Sequence, residues 1–134
     1  MNLYLLDTNI WIAFLRGDPA VVNRLRELDV SQVAVCSMVK AELFFGARKS
    51  QRVSHNLGHF RALLDPFVSL PFDDRAAEHY GLIRATLEAA GTPIGGNDLM
   101  IAAIALAHDC RLVTRNAREF RRVAGLQVEE WPMQ

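Results

Sequence analysis

Apolar residues in this chain fall into short unbroken runs separated by longer amphipathic stretches. Leu3 to Leu6, Val33 to Cys36 and Leu112 to Thr114 are runs of the first kind. They predict strands buried on both faces. Phe67 to Leu70 reads as a weaker strand, and Val128 opens a last edge strand. Helices are expected between them. Thr8 is placed to cap one over Ile10 to Leu15. Gly17-Asp18-Pro19 ends it, and a second covers Ala20 to Leu28. Ser37 caps a helix reaching Lys49, and another spans Val53 to Leu64 before Pro66. Asp73-Asp74 opens a long helix to Ala90, with acids at the positive end of its dipole. After a loop over Thr92 to Gly96, a helix runs from Asp98 to His108, and Asn116 caps a short helix to Val123.

Strands alternating with helices imply an α/β fold with parallel strands joined by right-handed crossovers. The chain has 134 residues with no repeat or linker, which predicts a single domain over 1–134. In such sheets ligands bind beyond the carboxyl ends of the strands. Asp7, Ser37 and Thr114 are expected at those ends.

Composition narrows the function classes. Hydrophobic residues make up 51% and charged residues 22%, which is globular rather than disordered. The formal net charge is zero, so any attraction for nucleic acid must come from local placement of charge. Arg48, Lys49 and Arg52 form one basic group, and Arg111, Arg115, Arg118, Arg121 and Arg122 another. Part of each is a solvated face. Arg115 and Arg118 follow Thr114 most closely and are the expected phosphate contacts. Cys36 and Cys110 read as reduced thiols. The opening residues lack the basic start and long apolar stretch of a signal peptide, and no run is long enough to cross a bilayer. A cytoplasmic protein is expected, with no membrane partner.

Three acids are candidates for chemistry. Asp7 directly follows a buried run, where an unpaired carboxylate is costly, although Asp is also a good helix cap. Glu42 shares a helix face with Met38, Phe45 and Lys49. It is either a site residue or an amphipathic Glu reaching water beside Arg48 or Lys49. Asp98 opens an apolar helix, and taken alone capping explains it better. On one stripe with Ile101, Ala102 and Ala105, it instead points at the sheet's carboxyl edge. Together the three form a set of hard oxygen ligands that suits Mg²⁺. Clustered without a cation, they would raise one another's pKa values. Such an ion can drive phosphodiester hydrolysis. Thr8, Ser37, Thr114 and Asn116 are the expected polar support. No G-x-S-x-G, P-loop or H-E-x-x-H motif is present. His55 and His59, spaced i, i+4, lack a third ligand for zinc.

Four segments carry a family resemblance. Leu-Leu-Asp-Thr-Asn-Ile-Trp-Ile at 5–12 resembles the opening motif of PIN-domain nucleases. Ser37 to Gly46, Gly95 to Ala103 and Leu112 to Phe120 resemble their later motifs in order and spacing. Order, spacing and length are similar to the VapC toxins of bacterial toxin–antitoxin pairs. The resemblance implies a three-layer α/β/α sandwich with a five-stranded parallel sheet. It implies an endoribonuclease needing Mg²⁺ or Mn²⁺, with Asp7, Glu42 and Asp98 as catalytic and metal-site residues. It also implies a homodimer neutralised by a VapB-like antitoxin in a heterotetramer or larger complex, with operator DNA reached only through the antitoxin. The Thr92–Gly96 loop resembles that of relatives cutting initiator tRNA. One departure stands out: Asn116 occupies the place of a fourth acid, with Glu119 three residues on, so one firmly held metal is expected. Two rivals remain at this point. A haloacid-dehalogenase-type phosphatase would want an Asp where Asn9 stands. A degenerate PIN domain would bind RNA or protein without cutting.

Overall fold

The computed structural model describes residues 2–132. Residue 1 and residues 133–134 of the expected 1–134 domain lie outside the described residues. The apolar runs become the strands β1 (Leu3–Leu6), β2 (Val33–Cys36), β3 (Val68–Leu70), β4 (Cys110–Thr114) and β5 (Gln127–Glu130). All pair in parallel in the order β3-β2-β1-β4-β5. The strands that read as continuous apolar runs are the inner ones. All four residues of β2 are buried, as are Leu5 and Leu6 of β1 and three consecutive residues of β4, Leu112 to Thr114. The edge strands β3 and β5 are largely exposed, and their sequences are accordingly weaker signals.

Six helices connect them: α1 (Thr8–Leu15), α2 (Pro19–Arg26), α3 (Ser37–Arg48), α4 (Val53–Leu64), α5 (Asp74–Ala89) and α6 (Gly96–Ala107). Strands β1, β2 and β3 step one way across the sheet, while β3 to β4 steps back across it. Right-handed crossovers therefore put α1 to α4 on one face and α5 and α6 on the other, giving the expected three layers. The direction of travel reverses between β1 and β4, which makes that gap the switch point where ligands bind in parallel sheets.

Several boundaries differ from the pattern-based expectation. Asp7, rather than Thr8, caps α1. Asp18 caps α2 with Pro19 in its first turn, so the helix starts one residue early and stops at Arg26. Cys36 holds the cap position of α3 without a side-chain bond, because the Ser37 hydroxyl donates to the Leu70 carbonyl at 3.4 Å. Helix α6 starts at Gly96, two residues before Asp98. The helix expected from Asn116 to Val123 is a single 3-10 turn, Phe120–Arg122. Asn116 spends its backbone N–H on the Thr114 hydroxyl at 3.2 Å instead of opening a helix.

Candidate active site

The backbone N–H of Asp7 donates to the Val113 carbonyl at 2.9 Å, so the sheet fixes this residue one step beyond β1. Its side chain is held at both oxygens. Oδ1 accepts from the Thr8 backbone N–H at 2.8 Å, and Oδ2 accepts from the Thr114 hydroxyl at 3.0 Å. Asp7 is 8% exposed and Thr114 only 1%. Burial raises the Asp7 pKa, and the two hydrogen bonds oppose that rise. Asp7 therefore caps α1 while its carboxylate lies at the β1–β4 switch point.

Glu42 comes from α3. The dry stripe of that helix is Val39, Leu43 and Ala47. Of the face that Glu42 shares with Met38, Phe45 and Lys49, Phe45 is open to solvent. That ring is 64% exposed, with the Lys49 ammonium 5.2 Å from its centroid. Glu42 is half-buried for a different reason: the Thr8 hydroxyl donates to its Oε1 at 2.9 Å. One residue thus holds two acids, Thr8 through its hydroxyl to Glu42 and through its N–H to Asp7.

Asp98 lies in the first turn of α6, as its third residue rather than as its cap. Its pKa is pushed up from an ordinary 3.8 to about 6. Burial is the largest cause, followed by the negative charges of Asp7, Glu119 and Glu42, and then a hydrogen bond to Glu119. The helix dipole favours a charged Asp here, but burial and three like charges outweigh it. Asp98 therefore feels every other acid of the cluster.

Glu119 is the acid beside Asp98 that sequence reasoning did not assign. It sits ahead of the 3-10 turn, half-buried and hydrogen-bonded to Asp98, while Asn116 is exposed. The loop is folded by Arg121 N–H donating to the Ala117 carbonyl at 3.0 Å, and by Ala117 N–H donating to Glu130 Oε1 at 3.3 Å. The sequence signal for it was an acid five residues beyond the end of β4 at Thr114. Of the other expected residues, Thr8 and Thr114 touch the acids, and Asn116 meets the network only through its backbone N–H. Ser37 is exposed and tied to Leu70 at the β3 end. Arg115 and Arg118 are exposed in the loop after β4, and among the described residues neither forms an ion pair.

The donor set fits a divalent cation. Three other carboxylates, Asp7, Glu119 and Glu42, lie near enough to Asp98 to raise its pKa. Hard oxygen donors with no protein counter-charge suit Mg²⁺ or Mn²⁺. Among the described residues, no three His, Cys, Asp or Glu side chains are gathered tightly enough to enclose an ion by themselves. A cation here would take one or two carboxylates and complete its shell with water and phosphate oxygens.

Comparison with known proteins identifies the family. A family model described as PIN domain matches residues 4–126. The chain is 41% identical to the tRNA(fMet)-specific endonuclease VapC of Shigella flexneri, over 98% of this chain and 99% of that protein. It superposes with a TM-score of 0.91 on a chain of DNA-bound VapBC from Salmonella typhimurium, at 36% identity, covering 98% of this chain and 99% of that one. It superposes at 0.89 on a chain of VapBC2 from Rickettsia felis bound to a promoter DNA fragment, at 33% identity, covering 96% and 98%.

Proposed function

This chain belongs to the PIN-domain family, among its VapC ribonucleases, and from that premise we propose that it is a toxin that cuts initiator tRNA at the Asp7–Glu42–Asp98 site. The observation that carries the reading is the Asp98 carboxyl, pushed to about 6 by burial and three neighbouring acids at the β1–β4 switch point. The name of the Shigella relative supports the substrate.

Asp7 and Asp98 would hold a Mg²⁺ ion directly, Mn²⁺ substituting, with Glu42 bound directly or through water. When bound, the cation stabilises charge developing on the phosphodiester and makes water a better nucleophile. Thr114 and Thr8 keep Asp7 and Glu42 aimed into the gap through their 3.0 Å and 2.9 Å hydrogen bonds. Glu119 orients Asp98. Arg115 and Arg118 receive backbone phosphates on the β4 side. Water adds to phosphorus, the P–O3′ bond breaks, and the products carry 5′-phosphate and 3′-hydroxyl ends.

The solved VapBC complexes support a VapB-like antitoxin as the partner, holding a homodimer of this chain in a heterotetramer or larger assembly. They also support operator DNA being reached through that antitoxin. No described helix is long and apolar enough to cross a membrane. Asn9, where a haloacid-dehalogenase-type phosphatase would place its second acid, is an exposed residue of α1. The test is to induce the chain in cells and map cleaved RNA ends. Cuts in initiator tRNA and growth arrest are expected from wild type and from neither with Asp7→Asn. Equal cutting by a folded Asp7→Asn protein would refute the proposal.

A further inference from the structure

A groove of about 270 Å³ lies between α1, α3 and α4. Glu42, an acid of the cluster, is part of its lining. Ile12, Leu15, Leu43 and Phe60 supply apolar walls. Arg16, exposed at the end of α1, and Asn56 of α4 add the polar groups. Asn56 donates from Nδ2 to the Ser50 hydroxyl at 2.9 Å, which fixes its amide and leaves Oδ1 as an acceptor. Gly46 is part of the lining, one helical turn beyond Glu42. A Cβ built there meets nothing within 4 Å, so any side chain would extend into open space beside the wall.

We propose that this groove is a subsite for one nucleotide of the RNA substrate next to the scissile phosphate, with the base against Phe60 and the following phosphate at Arg16. The proposal rests on the ribonuclease reading of the acid site and names its substrate contacts. Five features favour it. The groove shares Glu42 with the acid cluster, so a strand lying across the acids must continue along one of the surfaces that border them. Four residues of helix rise separate Glu42 from Gly46, roughly 6 Å, on the scale of one nucleotide step. Aromatic walls bind bases through stacking without needing sequence-specific bonds. Asn56 Oδ1 then supplies a single acceptor for an N–H donor on a base edge, a source of base preference. Arg16 supplies the only lining charge opposite in sign to phosphate.

The test uses the full chain, freed of any copurified partner, with Mg²⁺ and stem-loop RNAs carrying each of the four bases at the positions flanking the cut. Gly46→Leu fills the groove from its open wall. Gly81→Leu is the control, a comparably open helical position on α5 outside the groove. Base stacking of ordinary strength predicts a rise in KM of about tenfold or more for Gly46→Leu. Base preference at one flanking position should flatten, with most of the loss in KM rather than kcat. Arg16→Ala should raise KM and make it less salt-dependent. Gly81→Leu should match wild type, and both leucine variants should melt near the wild-type temperature. Wild-type KM and base preference in a folded Gly46→Leu protein would overturn the subsite. So would a Gly46→Leu protein that loses only the binding of an antitoxin peptide, which would assign the groove to a protein partner. Failure of the ribonuclease reading looks different, because wild type would then cut none of these RNAs.

Discussion

At the scale of single residues, Asp98 shows how the site departs from its separate parts. Its carboxyl titrates at about 6 in the folded chain against an ordinary 3.8. Between about pH 4 and 6 the folded state therefore keeps a proton that the unfolded chain has released. Stability without metal should fall as pH rises through that window and stay at its lower level above it. The full shift corresponds to about 3 kcal/mol at most, less after solvent screening. Asp98→Asn removes the repelling charge, so it should melt higher than wild type near neutral pH in the presence of a chelator. Saturating Mg²⁺ should narrow that gap by stabilising only the wild type. Thermal melts with and without metal read this directly, and a lower melting temperature for chelated Asp98→Asn would contradict it. Sequence made Asp7 legible, because an acid ending a buried apolar run has few innocent explanations. Asp98 was less legible, because an Asp two residues after a glycine pair looks like a cap. Glu119 was nearly invisible, since its aim depends on the Glu130 contact across the sheet edge, which no local pattern encodes.

At the scale of elements, α6 holds Asp98 by being buried almost all round. Leu99, Ile101, Ala102, Ala103, Ile104, Ala105 and Ala107 are all buried. A run of small residues lets the helix lie close to its neighbours, so added volume has nowhere to go. Ala102→Leu should therefore destabilise the chain by about 1–3 kcal/mol, measured by denaturant unfolding. A change near zero would mean the packing around α6 can yield. Such helices were easy to find but hard to bound. The apolar run gave away α6, while its true start lies in the polar Gly96-Asn97 pair. The inner strands were legible for the same reason, being apolar on both faces. Strand β5 was visible only from Val128, because an exposed edge strand of Gln127-Val128-Glu129-Glu130 carries little apolar signal. What secures it is long-range: the Glu129 carboxylate meets Arg24 of α2 at 3.2 Å, Arg111 of β4 at 3.6 Å and the Trp131 indole.

At the scale of the molecule, strand order does the assembling. Asp7 follows β1, Glu42 comes from α3, Asp98 from α6 and Glu119 from beyond β4. Only an order that places β4 beside β1 brings them to one gap. Alternation of apolar runs and helices gave the parallel sheet and family resemblance its five strands, but the order of the strands was legible in neither and comes from the structure. The chain carries no net charge, so attraction for RNA must come from local placement of charge such as exposed Arg115 and Arg118 after β4. The account's central claim is that the converging acids hold a divalent cation needed for cutting RNA. The most direct measurement is the rate at which purified chain cleaves initiator tRNA as Mg²⁺ is titrated, for wild type and Asp98→Asn. The expected result is a saturable rise with Mg²⁺ for wild type, none in excess chelator, and a loss for Asp98→Asn of at least about 10². Cleavage that persists in chelator, or that Asp98→Asn retains at the wild-type rate, would contradict it.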